Sequence, residues 1–180
     1  RGTLPILLVM CARSGDSISS VTPVGLSPSG QLTSREGGGG CPGWHIVAGG
    51  KNIYYFRKDL SNGGMADGRL QAFVRSTGAP STFLKSASYL MHNVSFSSMR
   101  KFILSDSQLV LQDPSGVPFR YYDQGAWNVR LYGTYRGPLD IFSEYHQSDL
   151  VTAYQSGEYP VVPLKAGVGY LRSCLILARK

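Results

Sequence analysis

Apolar residues fall along the chain in runs of three kinds, and each kind predicts a different element. Leu4-Pro5-Ile6-Leu7-Leu8-Val9-Met10-Cys11-Ala12 is apolar at odd and even positions alike. That pattern predicts a central strand over 4–12 covered on both faces, with Pro5 tolerated near its start. A last strand over 168–178, carrying Cys174-Leu175-Ile176-Leu177, has the same character. Shorter runs flank turn residues. Strands over 22–26 and 31–33 are separated by Ser27-Pro28-Ser29-Gly30, and strands over 44–48 and 52–57 by Gly49-Gly50, so two hairpins are expected. The strand over 127–135 alternates Trp127, Val129 and Leu131 with Asn128, Arg130 and Tyr132, which predicts one buried face.

Between these stand segments of helical period. Leu70, Phe73 and Val74 predict a helix over 69–76. Ser81 after Pro80 reads as the N-cap of a second helix with Phe83, Leu84, Ala87, Leu90 and Met91 on one stripe. A third, starting near Ser97, buries Met99, Phe102, Ile103 and Val110 and stops at Asp113-Pro114-Ser115-Gly116. A strand over 117–122, a short helix over 148–155 and an extended piece over 159–164 complete the reading. Strands near both ends around a helical middle predict an α+β fold with a mixed sheet, in a single domain over 1–180. The run Gly37-Gly38-Gly39-Gly40 marks 34–43 as a Gly-rich linker or disordered loop. Without a following Lys-Ser/Thr it is no phosphate loop.

Composition narrows the class. Of the 180 residues 42% are hydrophobic, enough for a core, and no apolar run approaches the roughly 20 residues of a membrane-spanning helix. Eighteen Lys and Arg against 11 Asp and Glu give a net charge of +7, which favours an acidic protein partner or larger complex and allows peripheral contact with a membrane surface. The basic residues are scattered and not interleaved with aromatics, which argues against nucleic acid. Cys11, Cys41 and Cys174 are an odd number without CxxC spacing, so neither a zinc site nor a disulfide framework is specified. Cys11 and Cys174 read as small buried hydrophobes. The chain opens on Arg1-Gly2-Thr3 without Met or a signal pattern, which reads as a start inside a longer protein.

Candidate chemistry is thin. Asp113, Ser115 and Asp123 around one turn, with His92, are the candidate catalytic set, although no Gly-x-Ser-x-Gly elbow marks Ser115. Turn-forming roles for Asp113 and Ser115, and a protonated His92 capping its helix, are the simpler readings. Asp140, Glu144, His146 and Asp149 are the densest polar cluster and the candidate metal set, against a solvated surface turn. Tyr54, Tyr121, Tyr122, Tyr132 and Tyr135 are candidates for a binding platform. His45, beside Trp44, reads as an exposed edge residue. Asn93-Val94-Ser95 is a glycosylation sequon. No cofactor is expected, since no cofactor motif is present.

Several blocks carry a family resemblance: Arg1-Gly2-Thr3-Leu4-Pro5-Ile6 with Ala12-Arg13-Ser14-Gly15, Tyr54-Tyr55-Phe56 with Asp59-Leu60-Ser61-Asn62, and 83–92. To these are added Leu111-Gln112-Asp113 with Ser115-Gly116-Val117-Pro118, then 131–135 with Gly137-Pro138, and Gly167-Val168-Gly169-Tyr170. Together they resemble the second half of a family of largely uncharacterised, mostly bacterial proteins about twice this length. That family's first half carries a Ser-Gly-Pro-Asp motif absent here. The resemblance implies a fragment and no reaction; Pro114 departs from it where an acidic residue is expected beside Asp113. A non-catalytic interaction or assembly domain, basic and Tyr-rich, is therefore expected. A hydrolase-like domain with an Asp/His site and a glycan-binding module are the alternatives.

Overall fold

The computed structural model describes residues 3–34, 41–78, 81–85, 89–122, 125–138, 140–164 and 174–180. The fold is α+β, with two sheets, and the chain forms two compact units, Arg1–Gly78 and Ala79–Lys180.

The first unit begins with helix α1 (Leu4–Arg13), followed by β1 (Ile18–Leu26), β2 (Leu32–Ser34), β3 (Pro42–Ala48), β4 (Lys51–Phe56), a single turn α2 (Asn62–Met65) and α3 (Arg69–Ser76). Its four strands are antiparallel in the order β2-β1-β3-β4. Both hairpins form where Gly30, Gly49 and Gly50 adopt positive φ, a conformation glycine reaches without steric cost. Alternation in β4 divides the work of the sheet. Ile53 and Tyr55 join Trp44, Ile46 and Ala48 under Leu4, Leu7, Leu8 and Cys11 of α1, while Tyr54 and Phe56 meet Phe73 of α3 edge to face. Gly43, opposite Phe56, has no room for a side chain, because a Cβ there would run into the Phe56 ring and the Tyr55 carbonyl.

Segment 4–12 is therefore a helix, not the strand its apolar run predicts. Leu4, Leu7, Leu8 and Cys11 stand at i, i+3, i+4 and i+7 and face the sheet, and Pro5 sits in the first turn, where its missing N–H costs nothing. The complementary face is left outside, with Ile6 62%, Val9 57% and Met10 59% exposed. His45 lies in an interior strand, not at an edge. Its Nε2 meets the Asn52 Oδ1 at 2.8 Å and its ring stacks on Tyr54 at 4.7 Å. Ser34 closes β2 and Pro42 opens β3, so of the expected 34–43 linker only 35–40 lies outside the described residues.

The second unit comprises β5 (Ser81–Lys85), two 3₁₀ turns (Tyr89–His92 and Val94–Phe96), α4 (Ser97–Asp106) and β6 (Ser107–Gln112). After a 3₁₀ turn (Phe119–Tyr121) come β7 (Asn128–Gly133), a 3₁₀ segment (Asp140–Tyr145), α5 (Ser148–Gln155), β8 (Val161–Val162) and β9 (Cys174–Arg179). Strand order is β5-β6-β9-β7-β8, with β5 parallel to β6, β7 parallel to β8, and β9 antiparallel to both its neighbours. The carboxyl ends of β5 to β8 and the start of β9 thus share one edge of the sheet. On one face of the sheet Val110, Leu131, Ile176 and Ala178 are fully buried, in phase with Val129.

Three expectations fail here. The stripe through Phe83 and Leu84 belongs to edge strand β5, not to a helix capped by Ser81. Helix α4 stops at Asp106, and Val110 is a strand residue of β6. Residues 117–122 turn in a 3₁₀ segment instead of running as a strand. The first two are cases of an apolar spacing compatible with two periods, decided by sheet pairing; in the third, the backbone of Val117 and Phe119 is held by the Gln112 and Gln147 side chains instead of by a neighbouring strand. The last expected strand is seen from Cys174 onward; 165–173 lie outside the described residues.

Candidate functional site

The shared end of the strands in the second unit holds the candidates Asp113 and Ser115, with His92 against them, as carboxyl ends of parallel strands commonly do. At its centre is the turn after β6. Asp113 Oδ1 accepts from the Ser115 amide at 2.9 Å and from the Ser115 hydroxyl at 2.5 Å, and the Gly116 amide donates to the Asp113 carbonyl at 3.2 Å. The Pro114 carbonyl accepts twice, from His92 Nε2 at 3.2 Å and from Gln147 Nε2 at 2.9 Å. Gln147 Oε1 in turn accepts from the Phe119 amide at 2.8 Å. Gln112, only 1% exposed, holds both backbone groups of Val117: Nε2 donates to the carbonyl at 2.7 Å and Oε1 accepts from the amide at 2.8 Å.

Asp113, Ser115 and His92 are thus brought together around Pro114, but in turn-holding roles. The Ser115 hydroxyl is donated to Asp113, and His92 Nε2 is directed at the Pro114 carbonyl. Asp123 lies outside the described residues. The two glutamines that organise the turn escaped sequence reasoning. Gln112 carried a signal, since it falls in phase with buried Val110 on β6, whereas Gln147 carried none.

His92 is half-buried among Tyr89 and Tyr145, both edge-on to it at 5.2 and 5.4 Å, while those two rings stack at 4.8 Å. A carbonyl can only accept, so Nε2 carries the proton. Burial is the main cause that lowers the His92 pKa; the Pro114 carbonyl raises it, Arg120 and Arg100 lower it further, and Asp149 raises it slightly. The imidazole is therefore neutral near pH 7 and does not serve as a charged helix cap. A folded pKa below the unfolded value near 6.5 means that its contribution to stability is complete above that pH and is lost as pH falls through the folded value. Urea unfolding from pH 7.5 to 5 is expected to show that decline, and His92→Gln to flatten it; an unchanged slope in the variant would contradict the assignment.

Asp140, Glu144 and His146 are exposed, and His146 lies over Tyr135 at 6.2 Å. Asp149 is half-buried in the first turn of α5, with Oδ2 sealed and unpartnered. Among the described residues no group of three or more His, Cys, Asp or Glu is placed to hold a metal ion. These four residues are not gathered into a ligand set.

The candidate tyrosines are dispersed. Tyr54 belongs to the first unit, against His45 and Phe73. In the second, Tyr122 is buried against Trp127, and burial pushes its phenol far up. Tyr135 accepts from the Gln147 amide at 3.2 Å, and the Tyr132 carbonyl accepts from Tyr154. The Tyr121 ring is in contact with two guanidinium groups, Arg100 at 4.3 Å and Arg120 at 5.1 Å from its centroid. All three cysteines are buried and unpaired; burial pushes the Cys174 thiol up to about 11, beside the Tyr154 hydroxyl at 3.1 Å.

No helix among the described residues is long and apolar enough to cross a membrane. No family model, curated protein or solved structure matches the chain.

Proposed function

We propose that this chain is a non-catalytic interaction module that works within a longer protein or larger complex. The observation that carries the reading is the outer face of α1. Ile6, Val9 and Met10 stand together at helical spacing, each more than half exposed. At about 25 cal/mol per Å² of apolar area, covering such a face is favourable wherever a partner supplies a complementary surface. The net charge of +7 favours an acidic partner. The hydrolase reading is supported less well, because the Asp113 turn satisfies its own polar groups. The glycan reading is supported less well too, because the candidate rings form no common platform.

The test is native mass spectrometry of the complex purified from its source, alongside the Val9→Glu and Met10→Glu variants. The chain should appear in stoichiometric association, and either charge should abolish it while circular dichroism stays native. Recovery of the chain only as a free monomer would overturn the reading.

A further inference from the structure

Arg100 is a charged side chain only 8% exposed, on the buried side of α4. Its hydrogen bonds run to the carbonyls of Met91, at 2.5 Å, and Asn93, at 3.5 Å, and both leave from Nη1. A guanidinium has five N–H donors, so those on Nε and Nη2 are unspent. Among the described residues the ion pairs lie in the first unit, and no carboxylate reaches Arg100 or Arg120. A buried cation without a counter-ion is costly. Here a second cation is added, since both guanidinium carbons lie over the Tyr121 ring, within the sum of 4.3 and 5.1 Å of each other.

We propose that Arg100 and Arg120, set about Tyr121, form a binding site for a phosphate-type oxyanion, either free or as a monoester. The anion supplies a counter-charge that no carboxylate among the described residues provides. Arg100 offers it the Nε/Nη2 edge, the side of the planar fork that pairs bidentately with phosphate oxygens, while exposed Arg120 closes over it. Tyr121 holds both cations by cation–π attraction, at 4.3 and 5.1 Å from its ring centroid. Two further observations agree. Both arginines lower the His92 pKa, and the Tyr121 phenol is held below its usual pKa, first by a hydrogen bond from Arg120. The site is independent of the α1 face, so either reading can fail without the other.

The experiment is thermal unfolding of the chain at pH 8 and fixed ionic strength, titrated with inorganic phosphate, with phenyl phosphate, and with acetate as the planar control. Specific binding raises Tm with ligand concentration. Because phosphate also stabilises proteins by exclusion from their surface, the decisive comparison is with variants. Arg120→Gln, at an exposed position, should weaken phosphate binding about tenfold or more, the effect of losing a charge-assisted hydrogen bond. Arg100→Met should abolish the phosphate-induced shift in Tm; the ligand-free Tm is read separately, because the substitution also removes the bonds to the Met91 and Asn93 carbonyls. Phenyl phosphate shifting Tm at lower concentration than the inorganic ion identifies an esterified group; the reverse identifies the free ion. Equal shifts in wild type and Arg120→Gln, or a response to acetate alone, would overturn the proposal.

Discussion

Gln112→Ala is expected to destabilise the second unit by about 3 to 5 kcal/mol, read as a lower urea midpoint at unchanged slope. The side chain is sealed, and both of its polar ends are spent on one residue, the amide and the carbonyl of Val117. Removing it strands two buried backbone groups, each costing about 1 to 3 kcal/mol, and leaves a void beside them. Gly116 belongs to the same device, since a Cβ there would strike the Gln112 Oε1. Gln112→Glu is the discriminating control. A carboxylate can accept from the Val117 amide but cannot donate to its carbonyl, so the variant should be unstable at neutral pH. Its raised folded pKa places the recoverable stability on the acid side, so the loss should shrink as pH falls toward about 4. If alanine and glutamate variants both retain the wild-type midpoint, the clamp carries no stability.

In the first unit the largest effect is expected from Ile46→Ala, about 3 to 4 kcal/mol, with Ile46→Val near 1 kcal/mol. Ile46 is fully buried on β3 in the cluster that Leu4, Leu7, Leu8 and Cys11 cover. Its neighbours come from two directions, with α1 above and the ring of Tyr55 and the side chain of Ile53 alongside, so the cavity cannot collapse by moving one element. Tyr55 is further tied to α1 by a hydrogen bond of 3.0 Å between its hydroxyl and that of Thr3. A loss below 1 kcal/mol for the alanine variant would mean that α1 does not pack there. Amide exchange across β3 should rise in parallel with the measured loss.

The elements legible in the sequence were those with local determinants. Both hairpins follow from turn residues that tolerate positive φ. Helices α3 and α5 match their expected bounds because their apolar positions repeat at one period only. Alternation on β7 correctly buried Trp127, Val129 and Leu131. What failed was ambiguous in period. A run apolar at every position, as in α1, contains the helical subset and the strand subsets at once, and only the available sheet face chooses between them. Site geometry was harder still. Gln147 reaches Pro114 across 33 residues of sequence, and the Arg100 guanidinium finds Tyr121 through the fold of α4 and the following 3₁₀ turn. Neither arginine belongs to a local motif, and what marks them is a shared ring with no carboxylate among the described residues paired to either, visible only in three dimensions.

One edge of the five-stranded sheet has a further meaning for how the protein behaves in solution. Strand β8 is only Val161 and Val162, both more than a third exposed, and it stands between Pro160 and Pro163. Bare valines at a sheet edge are a template on which another chain can add a strand and begin a fibril. Neither proline can donate a backbone hydrogen bond, so an incoming strand would find a ladder two residues long that stops at each end. The edge thus pairs with β7 inside its own fold while remaining a poor seed for aggregation. A basic chain with little charge on its sheets can stay monodisperse at this edge through two prolines instead of through repulsion.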